Sequence, residues 1–179
     1  MALKPLLYVS LIFYVSALAI VGAYHLTRKS SFEGSSRLFL SAGFFVHTIA
    51  LAVRTYQTGH APMASVYETL LFFSWSTVLV SIVVIFRYNE RLTELVTVPT
   101  AMLALVFSFF NEVEGRPLVL ILRTRWFETH VISSFAAYSL FTLAFSGAVL
   151  YLIYDFRNSG REELGPGREE LMKSFQDIA

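Results

Sequence analysis

Five long apolar stretches constrain the fold of this chain more than any other feature. They lie at residues 6–26, 38–56, 66–86, 92–110 and 130–154. A helix of roughly 20 apolar residues, with a range of about 17 to 25, crosses the hydrocarbon core of a bilayer. Backbone groups inside a bilayer must be hydrogen-bonded within the protein, and the sequence has no alternating strand segments of the membrane-barrel kind. We therefore predict an all-α, polytopic transmembrane helix bundle with about five spans.

The composition excludes several classes of protein. Of the 179 residues, 55% are hydrophobic and 15% are charged, whereas soluble domains carry about 25% charged residues. The chain has no cysteine, which excludes disulfides, thiolate metal sites and iron–sulfur clusters. A net charge of +1 gives no reason to expect a nucleic-acid partner. Motifs for nucleotide binding or hydrolysis, such as Walker A, HExxH and GxSxG, do not occur in the sequence.

The distribution of Lys and Arg predicts how the chain is oriented. The first apolar stretch is longer than the core of a signal peptide, so we expect it to be retained. Nine Lys and Arg residues lie on the side that includes the C-terminus, and five lie on the side of the N-terminus. The positive-inside rule then places the N-terminus outside and the C-terminus inside. Residues 1–156 form the predicted membrane domain, and residues 157–179 a cytoplasmic polar tail or a linker to a missing half.

The segment from Thr58 to Trp75 is the first candidate for an outer functional site. Gly59 and a nearby proline mark a turn, after which the third helix opens with Glu68 in its first turn. Glu68 has two interpretations. It caps the positive end of the helix dipole, or it faces a cofactor or substrate at the outer mouth of the bundle. His60 is likewise either a solvated loop residue or part of that site.

The segment 111–130 is the second candidate. Three arginines lie here against the topological charge bias, which suggests that they pair with an anion. Residues 118–122 form an apolar run too short to span, and we expect it to lie along the outer interface. In a helix, Arg123, Trp126 and His130 fall on one face, together with Phe127.

This predicted face combines a cation, a flat aromatic surface and an imidazole. The guanidinium of Arg123 or Arg125 suits carboxylates, and neutral imidazole is a common axial ligand of haem iron. Haem carries both an iron and two propionates, so the face fits haem better than a bare ion, with His130 as the iron ligand. The alternative is interfacial anchoring, in which Arg snorkels, Trp126 sits in the aromatic belt and His130 lies at the start of a helix.

His47 lies in the middle of the second apolar stretch. An ionisable residue at this depth is a candidate for a functional site. The alternative is a neutral histidine that hydrogen-bonds a Thr or Ser of a neighbouring helix. Spacing alone leaves both possibilities open.

Two longer motifs resemble a known family. The sequence GHAPMASVYETLLFFSW at 59–75 is similar to the pattern GH-x-P-x-x-N-x-YE-[ST]-L-x-F-x-[ST]W, with Ser65 at the position where asparagine is commoner. The block RTRWFETHVISSFAAYSLFTLAFSGAVLYLIYD at 123–155 is similar to the W-x-x-x-H-V entry into a helix rich in small residues, and GFFVHTIALAVR at 43–54 also fits. Together they resemble cytochrome c assembly proteins of the CcsA/ResC type, the haem-handling proteins of System II.

The resemblance implies a function and a location. Such proteins bind haem and present it at the outer face of the cytoplasmic, or inner, membrane for covalent attachment to apocytochrome c. In the family, two outer histidines ligate the iron beneath a tryptophan-rich WWD segment, and His130 matches the first of them. The implied partners are membrane lipid, haem, apocytochrome c and a CcsB/ResB-like chain. We expect this chain to be part of a haem-lyase complex without catalysing turnover by itself.

The sequence departs from the family where the haem site would be completed. It contains neither a WWD segment nor the second outer histidine, so we expect a missing half or a partner chain to supply them. An alternative function is a membrane-anchor subunit of a respiratory oxidoreductase that binds quinone or haem b between helices. In that case His47 would matter more than His130.

Overall fold

The computed structural model describes residues 3–27, 30–113, 124–158 and 173–176. Over these residues the structure has five long helices and no strand, which confirms the predicted all-α bundle. The helices are α1 (Leu3–Thr27), α2 (Ser30–Thr58), α3 (Val66–Tyr88), α4 (Glu94–Phe110) and α5 (Arg125–Asn158).

The lengths of the helices are close to the thickness of a membrane. Helices α1, α2, α3 and α5 are long and apolar enough to cross a bilayer. Helix α4 has 17 residues, at the lower limit of about 17 for a span. The chain is therefore a multi-pass membrane protein. Because successive helices run in opposite directions, α3 and α5 both begin at one end of the bundle, which we call the Glu68 end, and α4 begins at the other, the Glu94 end.

The ends of the helices depend on capping as well as on hydropathy. Ser65 caps α3, where its hydroxyl accepts a hydrogen bond of 3.3 Å from the Glu68 amide. The Thr124 hydroxyl accepts from the Phe127 amide at 3.2 Å, so α5 starts five residues before the apolar stretch does. At the other end of α3, Asn89 adopts a left-handed conformation with φ of 56° and stops the helix.

Helices α1 and α2 form a closely packed hairpin. A β-carbon built on Gly43 would lie 2.8 Å from atoms of both Phe13 and Tyr14, so only glycine fits at this contact. Near it, the Tyr14 hydroxyl lies 3.1 Å from Nδ1 of His47. This hydrogen bond joins His47 to a neighbouring helix, but its partner is a tyrosine and not the expected Thr or Ser.

Helix α3 is the central packing element on the other side of the bundle. The Trp75 ring stacks on the rings of Phe44 and Phe72 with centroid distances of 5.3 and 5.5 Å, and its Nε1 donates to the Thr48 hydroxyl at 2.8 Å. Phe72 in turn meets the edge of Phe135 on α5 at 5.2 Å. This aromatic cluster joins α2, α3 and α5 at the same depth.

Candidate functional site

A buried ion pair forms the centre of the Glu68 end. Nε of Arg54, at the end of α2, donates to Oε1 of Glu68, in the first turn of α3, at 2.8 Å. Their side chains are only 7% and 1% exposed. The Arg54 guanidinium also donates to the Val113 carbonyl at 3.2 Å and lies 5.2 Å from the centroid of the Tyr67 ring. One arginine thus ties together α2, α3 and the segment after α4.

The geometry of Glu68 shows how its carboxylate is used in this structure. Oε1 accepts from Arg54, and Oε2 accepts from the backbone amide of Ala64 at 2.9 Å. Both oxygens are therefore engaged, and the negative charge lies at the positive end of the α3 dipole. This is the capping arrangement, strengthened by an ion pair.

His60 lies in the loop that joins α2 to α3. It is 8% exposed, and its Nδ1 lies 2.7 Å from the Ala61 carbonyl, to which it can only donate. The Thr58 hydroxyl donates to the His60 carbonyl at 3.2 Å. A histidine whose Nδ1–H is held by a carbonyl is fixed in one orientation, with Nε2 as its basic nitrogen. His60 is thus a well-ordered part of this loop.

The contacts between α3 and α5 fix the height of His130. Phe72 meets Phe135, and the Ser139 hydroxyl donates to the Ser76 hydroxyl at 2.8 Å. Each pair is separated by 63 residues, so the two parallel helices keep one register. The same offset places His130 level with Tyr67, beside Glu68. The imidazole is therefore at the same height as the buried ion pair, at the Glu68 end.

His130 and Trp126 lie on the side of α5 that faces away from α3. Both are exposed, Trp126 to 86%, whereas Phe135 and Ser139 on the α3 side are buried. The His130 carbonyl accepts bonds from two serine hydroxyls of the next turn, but among the described residues its ring has no hydrogen-bond partner. Of the residues predicted on this face, Trp126 and His130 are exposed and Phe127 is half-buried.

Only one of the two arginines predicted beside His130 is among the described residues. Arg125 is exposed in the first turn of α5, whereas Arg123 and the short interfacial run 118–122 lie outside the described residues. The Glu68 carboxylate oxygens bond to Arg54 and to the Ala64 amide and not to His130. Two groups therefore share the Glu68 end, namely a buried group around Glu68 and His60 and an exposed group around Trp126 and His130.

Sequence reasoning did not find Arg54 as the partner of Glu68. The signal was present, because Arg54 ends one apolar stretch and Glu68 opens the next, and a short connection brings such ends together. The Lys4–Glu112 pair, at 2.7 Å and with side chains 55% and 39% exposed, is a second ion pair at this end. It lies in a more exposed position than the Arg54–Glu68 pair.

The chain is similar to known proteins over most of its length. A family model described as cytochrome c assembly protein matches residues 63–178. The cytochrome c biogenesis protein CcsA of Nymphaea alba is 30% identical over 145 residues, which cover 79% of this chain and 47% of that protein. The CcsA protein of Prochlorococcus marinus (strain MIT 9303) is 28% identical over 131 residues, covering 71% of this chain and 41% of that protein.

A third relative, the CcsA protein of Solanum lycopersicum, is 30% identical over 129 residues, or 70% of this chain and 41% of that protein. The chain spans less than half the length of these curated relatives. The family model covers both the Glu68 turn and the whole of α5, which are the two places where the outer site was expected. The chain therefore belongs to the cytochrome c assembly protein family.

Proposed function

We propose that the chain acts in cytochrome c biogenesis by binding haem and presenting it at the extracytoplasmic face for covalent attachment to apocytochrome c. The observation that carries this proposal is the exposed His130 imidazole on the free side of α5, at the Glu68 end. It has no hydrogen-bond partner for its ring among the described residues, and so it is available to coordinate iron. The CcsA relatives, whose names state cytochrome c biogenesis, support the process.

The residues around His130 suit haem as a cargo. Trp126 is one turn earlier on the same exposed face and offers an indole surface to a porphyrin plane. Arg125 in the first turn, and Arg123 just before the helix, are the proposed partners of the propionates. Among the described residues no group of three or more His, Cys, Asp or Glu could hold a metal ion. Porphyrin iron needs only one or two protein ligands, so His130 can serve as one of them.

The proposed orientation puts the Glu68 end outside the cytoplasmic membrane. The Lys and Arg counts favour this orientation, and it places His130 and Trp126 where an apocytochrome could reach them. In this proposal the buried Arg54–Glu68 pair and His60 stabilise the outer loops beside the haem. We assign them a supporting role, because both Glu68 oxygens are occupied and His60 is buried and held by the Ala61 carbonyl.

A second chain or a further segment is needed to complete the site. His130 is exposed on the side of α5 that faces away from α3, so we propose that a second iron ligand comes from a further segment or from a partner chain. The relatives are about twice as long as the matched region, and the rest of such a protein, or a CcsB/ResB-like partner, could cover this face. Where neither covers this face, the proposed contact is membrane lipid.

The spectrum of bound haem tests the proposal. We expect the protein, purified with its partner after haem supply, to show a Soret band that His130→Ala reduces several-fold, and we expect added imidazole to restore it. Thr129→Ala, a neighbouring exposed change on α5, should leave the band unchanged. An unaltered Soret band in His130→Ala would refute the ligand role. Loss of the band in His47→Leu alone would instead favour a haem b or quinone site between the helices.

A further inference from the structure

A row of buried polar side chains follows one side of α3. It consists of Tyr67, Ser74, Thr77 and Ser81, which recur at helical spacing and are each no more than 1% exposed. At 1.5 Å per residue the row extends about 21 Å, which is most of a hydrocarbon core about 30 Å thick. We call these residues, with Thr97 and Glu94 described next, the polar seam.

The polar seam passes from α3 to α4 near the Glu94 end. The hydroxyls of Ser81 and Thr97 are hydrogen-bonded to each other, and Glu94 lies one turn before Thr97 on α4. Glu94 is 2% exposed, and its Oε2 accepts a hydrogen bond of 3.4 Å from the Ser36 hydroxyl on α2. The seam thus runs from the first turn of α3 to the first turn of α4, across the bundle.

Several polar atoms of the seam have no hydrogen-bond partner among the described residues. They are Oη of Tyr67, Oγ of Ser74, Oγ1 of Thr77 and Oε1 of Glu94. Several buried hydroxyls elsewhere in the helices donate to the carbonyl four residues earlier, as Ser10 does to Leu6 and Ser146 does to Thr142. The hydroxyls of Ser74 and Thr77 do not make this bond, so they are left for another partner.

His47 adds a further polar atom at the same depth. The hydrogen bond from Trp75 Nε1 to the Thr48 hydroxyl brings residues 47–48 of α2 level with residues 74–75 of α3. His47 is fully buried, and while its Nδ1 is bonded to Tyr14, its Nε2 has no partner among the described residues. Three unpartnered atoms, from His47, Ser74 and Thr77, therefore lie within about one helical turn of this level.

We propose that the polar seam is a water-binding site, with internal water molecules that join His47 Nε2 to the hydroxyls of Ser74 and Thr77 and continue toward Glu94. Leaving a buried polar atom unpaired destabilises the folded state, and an apolar occupant would not offset that cost. A buried water makes about three hydrogen bonds. Three unpartnered atoms, from His47, Ser74 and Thr77, lie at this depth in the bundle. A metal cation is a poorer occupant, because Glu94 is the seam's only carboxylate.

Radiolytic footprinting tests for this water, because X-rays generate hydroxyl radicals from bound water and label the side chains beside it. Leu71 of α3 is fully buried and lies one turn from Ser74, whereas Phe135 of α5, which is 7% exposed, packs against Phe72 on the other side of α3. In the full chain we expect Ser74→Ala/Thr77→Val to reduce the oxidation rate of Leu71 several-fold and to leave the rate of Phe135 unchanged. An unchanged Leu71 rate in the double variant would overturn the proposal.

A stability measurement gives an independent answer. Thr77→Val keeps the shape of the side chain but removes the hydroxyl. If water satisfies that hydroxyl, we expect the unfolding equilibrium constant to rise about two- to tenfold. If the hydroxyl is unpaired, valine relieves the cost of burying it and the constant falls, which would contradict a bound water at this position. Thr100→Val, whose hydroxyl bonds to its own helix at Val96, calibrates the effect of the same substitution at a site without water.

Discussion

Replacing Arg54 with methionine should destabilise the folded protein by about 3–5 kcal/mol, because it leaves the Glu68 carboxylate charged and buried without its partner. Glu68 is 1% exposed, so water cannot replace the guanidinium. The same change removes the hydrogen bond to Val113 and the contact with the Tyr67 ring. The free energy of unfolding can be measured by steric trapping in detergent micelles or bicelles.

A second substitution separates the effect of charge from that of packing. Glu68→Gln removes the charge but keeps an amide oxygen that can still accept from the Ala64 amide. We therefore expect Arg54→Met/Glu68→Gln to recover much of the stability lost in Arg54→Met. If the double variant is no more stable than the single one, lost packing and not an uncompensated charge explains the effect. Lys4→Met, which breaks the exposed pair with Glu112, should lower the stability far less than Arg54→Met does, because water screens the exposed charges.

The helices were predictable because the bilayer imposes a simple rule on the sequence. An apolar stretch such as 6–26 has to be helical, since its backbone groups have no other partners in lipid. The same rule does not predict whether the polar residues on either side of an apolar stretch are also helical. Helix α2 starts at Ser30 although its apolar stretch starts near residue 38, and α5 starts at Arg125 because Thr124 caps it. Hydropathy marks where the hydrocarbon ends and not where the helix ends.

The candidate site was predictable only as far as helical periodicity reaches. The spacing of Trp126 and His130 predicts a shared face, and the structure has both exposed on one side of α5. Which neighbour that face meets depends on the register of α3 with α5, which is set by contacts such as Phe72 with Phe135. The partner of His47 was undetermined for the same reason, since Tyr14 contacts it only once the rotation of α1 against α2 is fixed.

Gly43→Ala should destabilise the protein by about 1–3 kcal/mol through overpacking at the contact between α1 and α2. The added β-carbon would lie 2.8 Å from Cβ of Phe13 and 2.8 Å from the Tyr14 ring. The Phe13 Cβ is attached directly to the backbone, so it cannot move unless α1 shifts. A shift of α1 also pulls the Tyr14 hydroxyl away from His47, which adds the loss of a buried hydrogen bond.

Gly22→Ala is the matched control, because no heavy atom outside its local backbone lies within 4 Å of a β-carbon built there. Alanine favours a helix over glycine by up to about 1 kcal/mol, so we expect this variant to be as stable as the parent or slightly more stable. Unfolding free energies of both variants, measured in one detergent, compare the two sites directly. Equal stabilities of Gly43→Ala and Gly22→Ala would mean that α1 and α2 are not in close contact at Gly43. The position of Tyr14 beside His47 would then lose its structural basis.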